Sequence, residues 1–151
     1  MAGLFFEQFV EGQSFAHEIR RTVTETDNML FSAMTHNPAA IHIDHEYAKG
    51  TEFGQPLVNS LFTLGLIVGL SVQDTTLGTT VGNLGFEDVT FPKPVFVGDT
   101  LRAETTVIGL RASKSRPTQG IVTFEHRGLN QRDELVCRCR RAALMLRGGA
   151  G

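Results

Sequence analysis

The stretch "PLVNSLFTLGLIVGLSV", Pro56 to Val72, decides how the rest of the chain must fold. It carries no charge, but it is shorter than the roughly 20 apolar residues that span a bilayer, and Asn59, Ser60, Thr63, Gly65 and Gly69 interrupt it. A surface helix would show a polar stripe along one side. This stretch shows none, so it reads as a helix buried on all sides, and the remaining residues have to wrap it.

The wrapping follows Gly78. "TTVGNLGFEDVTF", "TLRAETTVIGL", "GIVTFEHRGL" and "ELVCRCRRAALML" alternate with the period of two expected of strands. Turn signals separate them at Val97 to Asp99, Ser113 to Gly120 and Asn130 to Asp133, which makes the strands antiparallel. Pro92 and Pro94 in "FPKPVF" exclude that segment from a central ladder. Upstream, "SFAHEIRRTVT" reads as a first strand. Thr24 then caps a helix that presents Met29, Leu30, Ala33 and Met34 to the core, and Asp44 caps a second, small helix. One curved antiparallel sheet around one apolar helix is an α+β hot-dog arrangement, and residues 1–151 form one domain of it, with a Gly-rich end at 147–151 expected to fray.

Composition limits what such a domain can do. A chain of 151 residues with 41% hydrophobic and 20% charged residues has enough apolar surface for a core without metal or disulfide staples. A net charge of −2 provides no basic field for nucleic acid. Cys137 and Cys139 lie two apart on one strand, too divergent for a normal bridge, and C-x-C without neighbouring ligands is a poor zinc site. Reduced thiols, together with an N-terminus lacking a basic leader, lead to an expected cytoplasmic location with no membrane association.

Two motifs then carry a resemblance. "NPAAIHIDHEYAKGTEFGQPLVNSLF" and "FPKPVFVGDTL" are similar to the MaoC-like, R-specific enoyl-CoA hydratases, and the similarity runs from about Phe15 to Leu146. It implies reversible addition of water to a 2-enoyl-CoA thioester, no cofactor beyond the coenzyme A of the substrate, and a homodimer or a multiple of one. In that family an Asp and a His, five residues apart, hold the water. By spacing these positions fall on Asn37 and His42, with Asp44 trailing and Ala39-Ala40 in place of the usual Asn-Pro. An amide cannot accept a proton as a carboxylate does, so His42 is left as the base while Asn37 orients the water. The family's enolate-binding amide aligns with Asn59-Ser60 at the start of the apolar helix, where free N–H groups exist whatever the side chain.

His36 is a rival for the base, whereas His17, His45 and His126 belong to no motif and read as ordinary strand or surface residues. Asp99 reads as a turn former. Arg111, Lys114 and Arg116 crowd one loop and are candidates for coenzyme A phosphates or for a distal carboxylate, since the resemblance extends to the branch hydrating mesaconyl- or itaconyl-CoA. Hydrolysis is the competing activity, because hot-dog proteins include thioesterases. Those place a carboxylate at or within the central helix, and Gln55 to Gln73 contains none. A relative that binds acyl-CoA without turning it over is the third reading.

Overall fold

A computed structural model describes residues 3–148. In chain order the elements are β1 (Ser14–Ala16), β2 (Arg21–Thr22), α1 (Glu25–Met34), α2 (Ala40–Ile43), α3 (His45–Lys49), α4 (Ser60–Thr75), β3 (Thr80–Thr90), β4 (Thr100–Ala112), β5 (Gln119–Leu129) and β6 (Leu135–Leu146). The sheet is antiparallel in the order β1-β4-β5-β6-β3, with β2 also on β4. The hot-dog arrangement is therefore present. The first strand is broken, because His17 turns its ring inward between β1 and β2 while its N–H still reaches Ala103 O. "FPKPVF" lies outside every named strand, touching the chain ladder-fashion only where Phe96 bridges Leu57.

Helix α4 starts at Asn59, whose Oδ1 accepts the Leu61 N–H, and lies across the concave face of the sheet. It approaches β5 closely at Gly128. A Cβ there would stand 2.5 Å from Ile67 Cδ1, so only glycine lets the buried Ile67 rest on the strand. The helix is not buried on all sides within one chain. Thr63, Ile67, Leu70, Ser71 and Thr75 are buried, but Leu61, Gly65, Gly69 and Gln73, spaced four apart, form an exposed stripe. One sheet covers one side of a helix, and a single chain has nothing left to cover the other.

Helix α1 also differs from expectation. Thr24 caps it through a reciprocal box with Asp27, as its sequence suggests. The inward face, however, belongs to Asn28 and Ser32, while Leu30, Ala33 and Met34 are exposed. The helix packs on backbone that needs hydrogen-bonding partners, and its polar stripe satisfies that need.

The core divides into two apolar clusters. Val23, Val58, Ile67, Leu101, Ala103 and Val136 belong to one; Phe9, Val107, Val122, Phe124, Ala143 and Met145 belong to the other. Between them, on successive strands, runs a polar belt: Thr105 on β4, His126 on β5 and Arg141 on β6, with His17 beside β4 and Asn83 on β3. The donor and acceptor roles along the chain from Arg141 to Asp74 follow in turn, although Arg141 Nη2 has no partner among the described residues. Arg141 can only donate, so its Nε–H binds His126 Nε2 at 3.1 Å, leaving the proton of neutral His126 on Nδ1, which meets Thr105 Oγ1 at 2.8 Å. The Thr105 hydroxyl then donates to His17 Nε2 at 2.8 Å, and His17 Nδ1–H donates to Asp74 Oδ2 at 2.7 Å. Burial pushes the His126 pKa down to about 3, with the Arg141 charge adding to the effect. A buried cation is thus linked to a half-exposed carboxylate by donors that all point one way.

Arg147 Nε and Gly148 N both donate to Glu7, so the first two residues of the end expected to fray are tied down; 149–151 lie outside the described residues. Cys137 and Cys139 are free and buried, and burial pushes the Cys137 thiol up to about 12. Among the described residues, no helix is long and apolar enough to cross a membrane.

Candidate active site

The segment between α3 and α4 is suspended from three places. Leu57 N–H donates to Ile41 O, Val58 N–H to Val95 O, and Asn59 N–H to Asn28 Oδ1. Asn28, 1% exposed, also donates from Nδ2 to His42 O and Leu57 O, both at 3.1 Å. One buried amide therefore fixes the α2 backbone and the start of α4 relative to each other. The sequence reading did not single out Asn28. Its one signal was a polar residue four before Ser32, on a helix face assumed to point outward.

His42 is half-buried on α2, and its Nδ1 lies 2.7 Å from Leu57 O. A carbonyl only accepts, so Nδ1 carries a proton, and in the neutral ring Nε2 keeps its lone pair. His42 lines a hollow of ≈ 250 Å³ with Glu25, Asn28, His45 and Gln55, where His45 Nε2 and Glu25 Oε1 pair at 2.5 Å. On the other side of Leu57 a second cleft, of ≈ 220 Å³, opens at the N-terminus of α4. Its apolar walls include Phe53, Phe91 and Val136, and its polar residues are Ser60, Thr63 and Lys93. Ser60 is the first residue of α4, and its N–H has no acceptor among the described residues.

The other expected site residues lie elsewhere. Asn37 lines a neighbouring hollow with Ser32, His36 and Ile43 rather than the one holding His42, and its Oδ1 accepts the Ala39 N–H at 3.1 Å. Asn59 is 4% exposed, with its N–H and Oδ1 both engaged, so of the expected pair only Ser60 offers an amide to a ligand. His36, at φ 54, occupies the left-handed position that closes α1: its N–H binds Ala33 O, and the next, from Asn37, binds Ser32 O. This Schellman geometry gives His36 a structural role. Asp99 is likewise structural, accepting from Phe96 N–H and Gln131 Nε2.

Arg111, Lys114 and Arg116 are exposed on the β4-β5 hairpin. Arg111 lies ten residues along β4 from Leu101, roughly 33 Å away at about 3.3 Å per residue. His17 and His126, expected to be ordinary, belong instead to the buried belt.

A curved antiparallel sheet around a helix, with a half-buried histidine held to Leu57 O, defines a hot-dog protein. The chain belongs to the MaoC like domain family, whose pattern matches residues 7–128. It is 39% identical over 135 residues to a mesaconyl-CoA hydratase of Cereibacter sphaeroides, covering 89% of this chain and 39% of that protein. It is 30% identical to an (R)-specific enoyl-CoA hydratase of Rhodospirillum rubrum, covering 80% of this chain and 77% of the other. The chain thus spans about two fifths of the length of the mesaconyl-CoA hydratase it matches. Among solved structures, a monoamine oxidase regulatory protein from Archaeoglobus fulgidus superposes with a TM-score of 0.86 at 30% identity, covering 98% of this chain and 97% of that one. A Mycobacterium tuberculosis protein described as having a double hot-dog fold superposes at 0.86 and 22% identity, and this chain covers 99% of itself but 46% of that protein.

Proposed function

We propose that the protein is a hydro-lyase that adds water reversibly across the double bond of a 2-enoyl-CoA thioester to give the 3-hydroxyacyl-CoA. The observation that carries this reading is His42, whose Nδ1 is held to Leu57 O, three residues before the first residue of α4. Nε2 takes a proton from water as the oxygen attacks C3. The electron pair of the double bond moves onto the thioester oxygen, where the Ser60 N–H stabilises the enolate, and the imidazolium returns its proton to C2. Asn37 cannot be the base, and its side chain lines a hollow other than that of His42.

The relatives named as mesaconyl-CoA and (R)-specific enoyl-CoA hydratases support a coenzyme A thioester, and the former support a short, branched, carboxylated acyl group. Arg111, Lys114 and Arg116 are candidates for the phosphates of the coenzyme rather than for the acyl end. The working unit is a homodimer, the second copy standing where a double hot-dog chain has its other half. Thioester hydrolysis is not favoured: the first carboxylate of α4 is Asp74, at the far end of the helix and bonded to His17.

Following the absorbance of the conjugated enoyl thioester together with release of free thiol tests this directly. Loss of the enoyl band without thiol is expected. Thiol release would make the protein a thioesterase, and binding of acyl-CoA with neither change would make it an inactive relative.

A further inference from the structure

We propose that Thr63 and Lys93 read a negatively charged group at the far end of a short acyl chain, in the cleft at the start of α4. This deepens the hydratase reading and rests on it for the thioester. The cleft, at ≈ 220 Å³, is smaller than the roughly 300–1,000 Å³ typical of drug-sized pockets, which suits a short chain. Phe53, Phe91, Val95 and Val136 would suit a plain hydrocarbon. Two polar features break that surface.

Thr63 is 1% exposed, and its hydroxyl has no partner. A buried hydroxyl without a partner is unfavourable, and valine would fill nearly the same volume without that penalty. The usual relief inside a helix is a bond to the carbonyl one turn back; Thr63 makes none, and that carbonyl, Asn59 O, accepts the Thr63 N–H instead. Lys93 lines the same cleft between Pro92 and Pro94, and it takes part in none of the ion pairs among the described residues. Glu134 feels its charge but is bonded to Arg132 and Asn130. A hydroxyl lacking an acceptor and an ammonium lacking a counter-ion, on one apolar wall, are both satisfied by a carboxylate entering the cleft.

The test is calorimetric binding of two saturated, unreactive thioesters, methylsuccinyl-CoA and isovaleryl-CoA. They share coenzyme A and a branched chain, but only the first carries a carboxylate. The full chain is expected to bind methylsuccinyl-CoA about tenfold more tightly, a ratio equivalent to one charge-assisted contact. Thr63→Val and Lys93→Met should each collapse that ratio towards one, and Thr63→Val should melt no lower than the parent. No preference in the parent, or a ratio that survives both substitutions, overturns the proposal. So does an equal loss for both esters in Lys93→Met, which would assign Lys93 to the coenzyme. If Thr63→Val does not fold, Lys93→Met, at an exposed position, decides alone. A chain that binds with this preference but hydrates no enoyl-CoA keeps the pocket and loses the hydratase reading, and one that hydrates without the preference does the reverse.

Discussion

A histidine with Nδ1 tied to a backbone carbonyl has a single nitrogen left for chemistry, and at His42 that nitrogen is Nε2. Replacing His42 by Ala should leave the fold intact, since the side chain makes only this bond, and reduce hydration by about a hundredfold or more. Steady-state kinetics beside a melting curve checks both halves. His36 gives the opposite case: at φ 54 a glycine fits better than a histidine, so His36→Gly should retain full activity. Asn37→Asp is the sharper experiment. Aspartate accepts the Ala39 N–H as well as asparagine does, and the side chain opens into a hollow other than that of His42, so kcat/KM should keep the shape of its pH profile. A new ionisation in that profile would return the residue to the reacting water. His42 was reached through the family resemblance and the spacing of its motif. Asn28, which holds the same site together, was not, because its importance lies in backbone groups that only the folded chain brings to it.

Among the elements, the strands were the most legible and the small helix α1 the least. A period of two survives in β4, where Leu101, Ala103, Thr105 and Val107 all face the helix. The same parity, applied strictly, puts His126 in phase with Val122 and Phe124, and Arg141 in phase with Cys137, Cys139, Ala143 and Met145. The belt could therefore have been read from the sequence as polar residues on core positions. The orientation of α1 could not, since its apolar side is the one a single chain leaves uncovered. Helix α4 and β5 meet closely at Gly128 against Ile67. Gly128→Ala adds one methyl where there is no room, and it should destabilise the fold by about 1–3 kcal/mol, as measured by chemical denaturation.

For the whole molecule, exposed apolar surface and buried charge lead to separate expectations. The edge strand β3 leaves Val81, Leu84 and Phe86 partly exposed, and α4 shows its stripe of Leu61, Gly65 and Gly69. Sedimentation or light scattering at micromolar concentration should therefore find a dimer or a multiple of it, and a fully active monomer would refute this. Acid acts through the belt. His126 has a pKa of about 3 when folded, against an ordinary value of 6.5, so between those values the unfolded chain takes up a proton that the native one refuses. Its contribution is complete above pH 6.5 and is lost as the pH falls towards 3, at about 1.4 kcal/mol per pH unit; denaturation midpoints measured across that window should show the slope.

The belt also bears on how this sheet can change over time. Arg141, His126, Thr105 and His17 each supply the acceptor or donor that the next one lacks, so a leucine at position 126 would strand a guanidinium on one side and a hydroxyl on the other. The four can be lost together, in favour of a wholly apolar sheet, but hardly one at a time. Across three strands and the break beside β1 they behave as a single heritable character, and a lineage that drops one member should be found to have dropped its neighbours too.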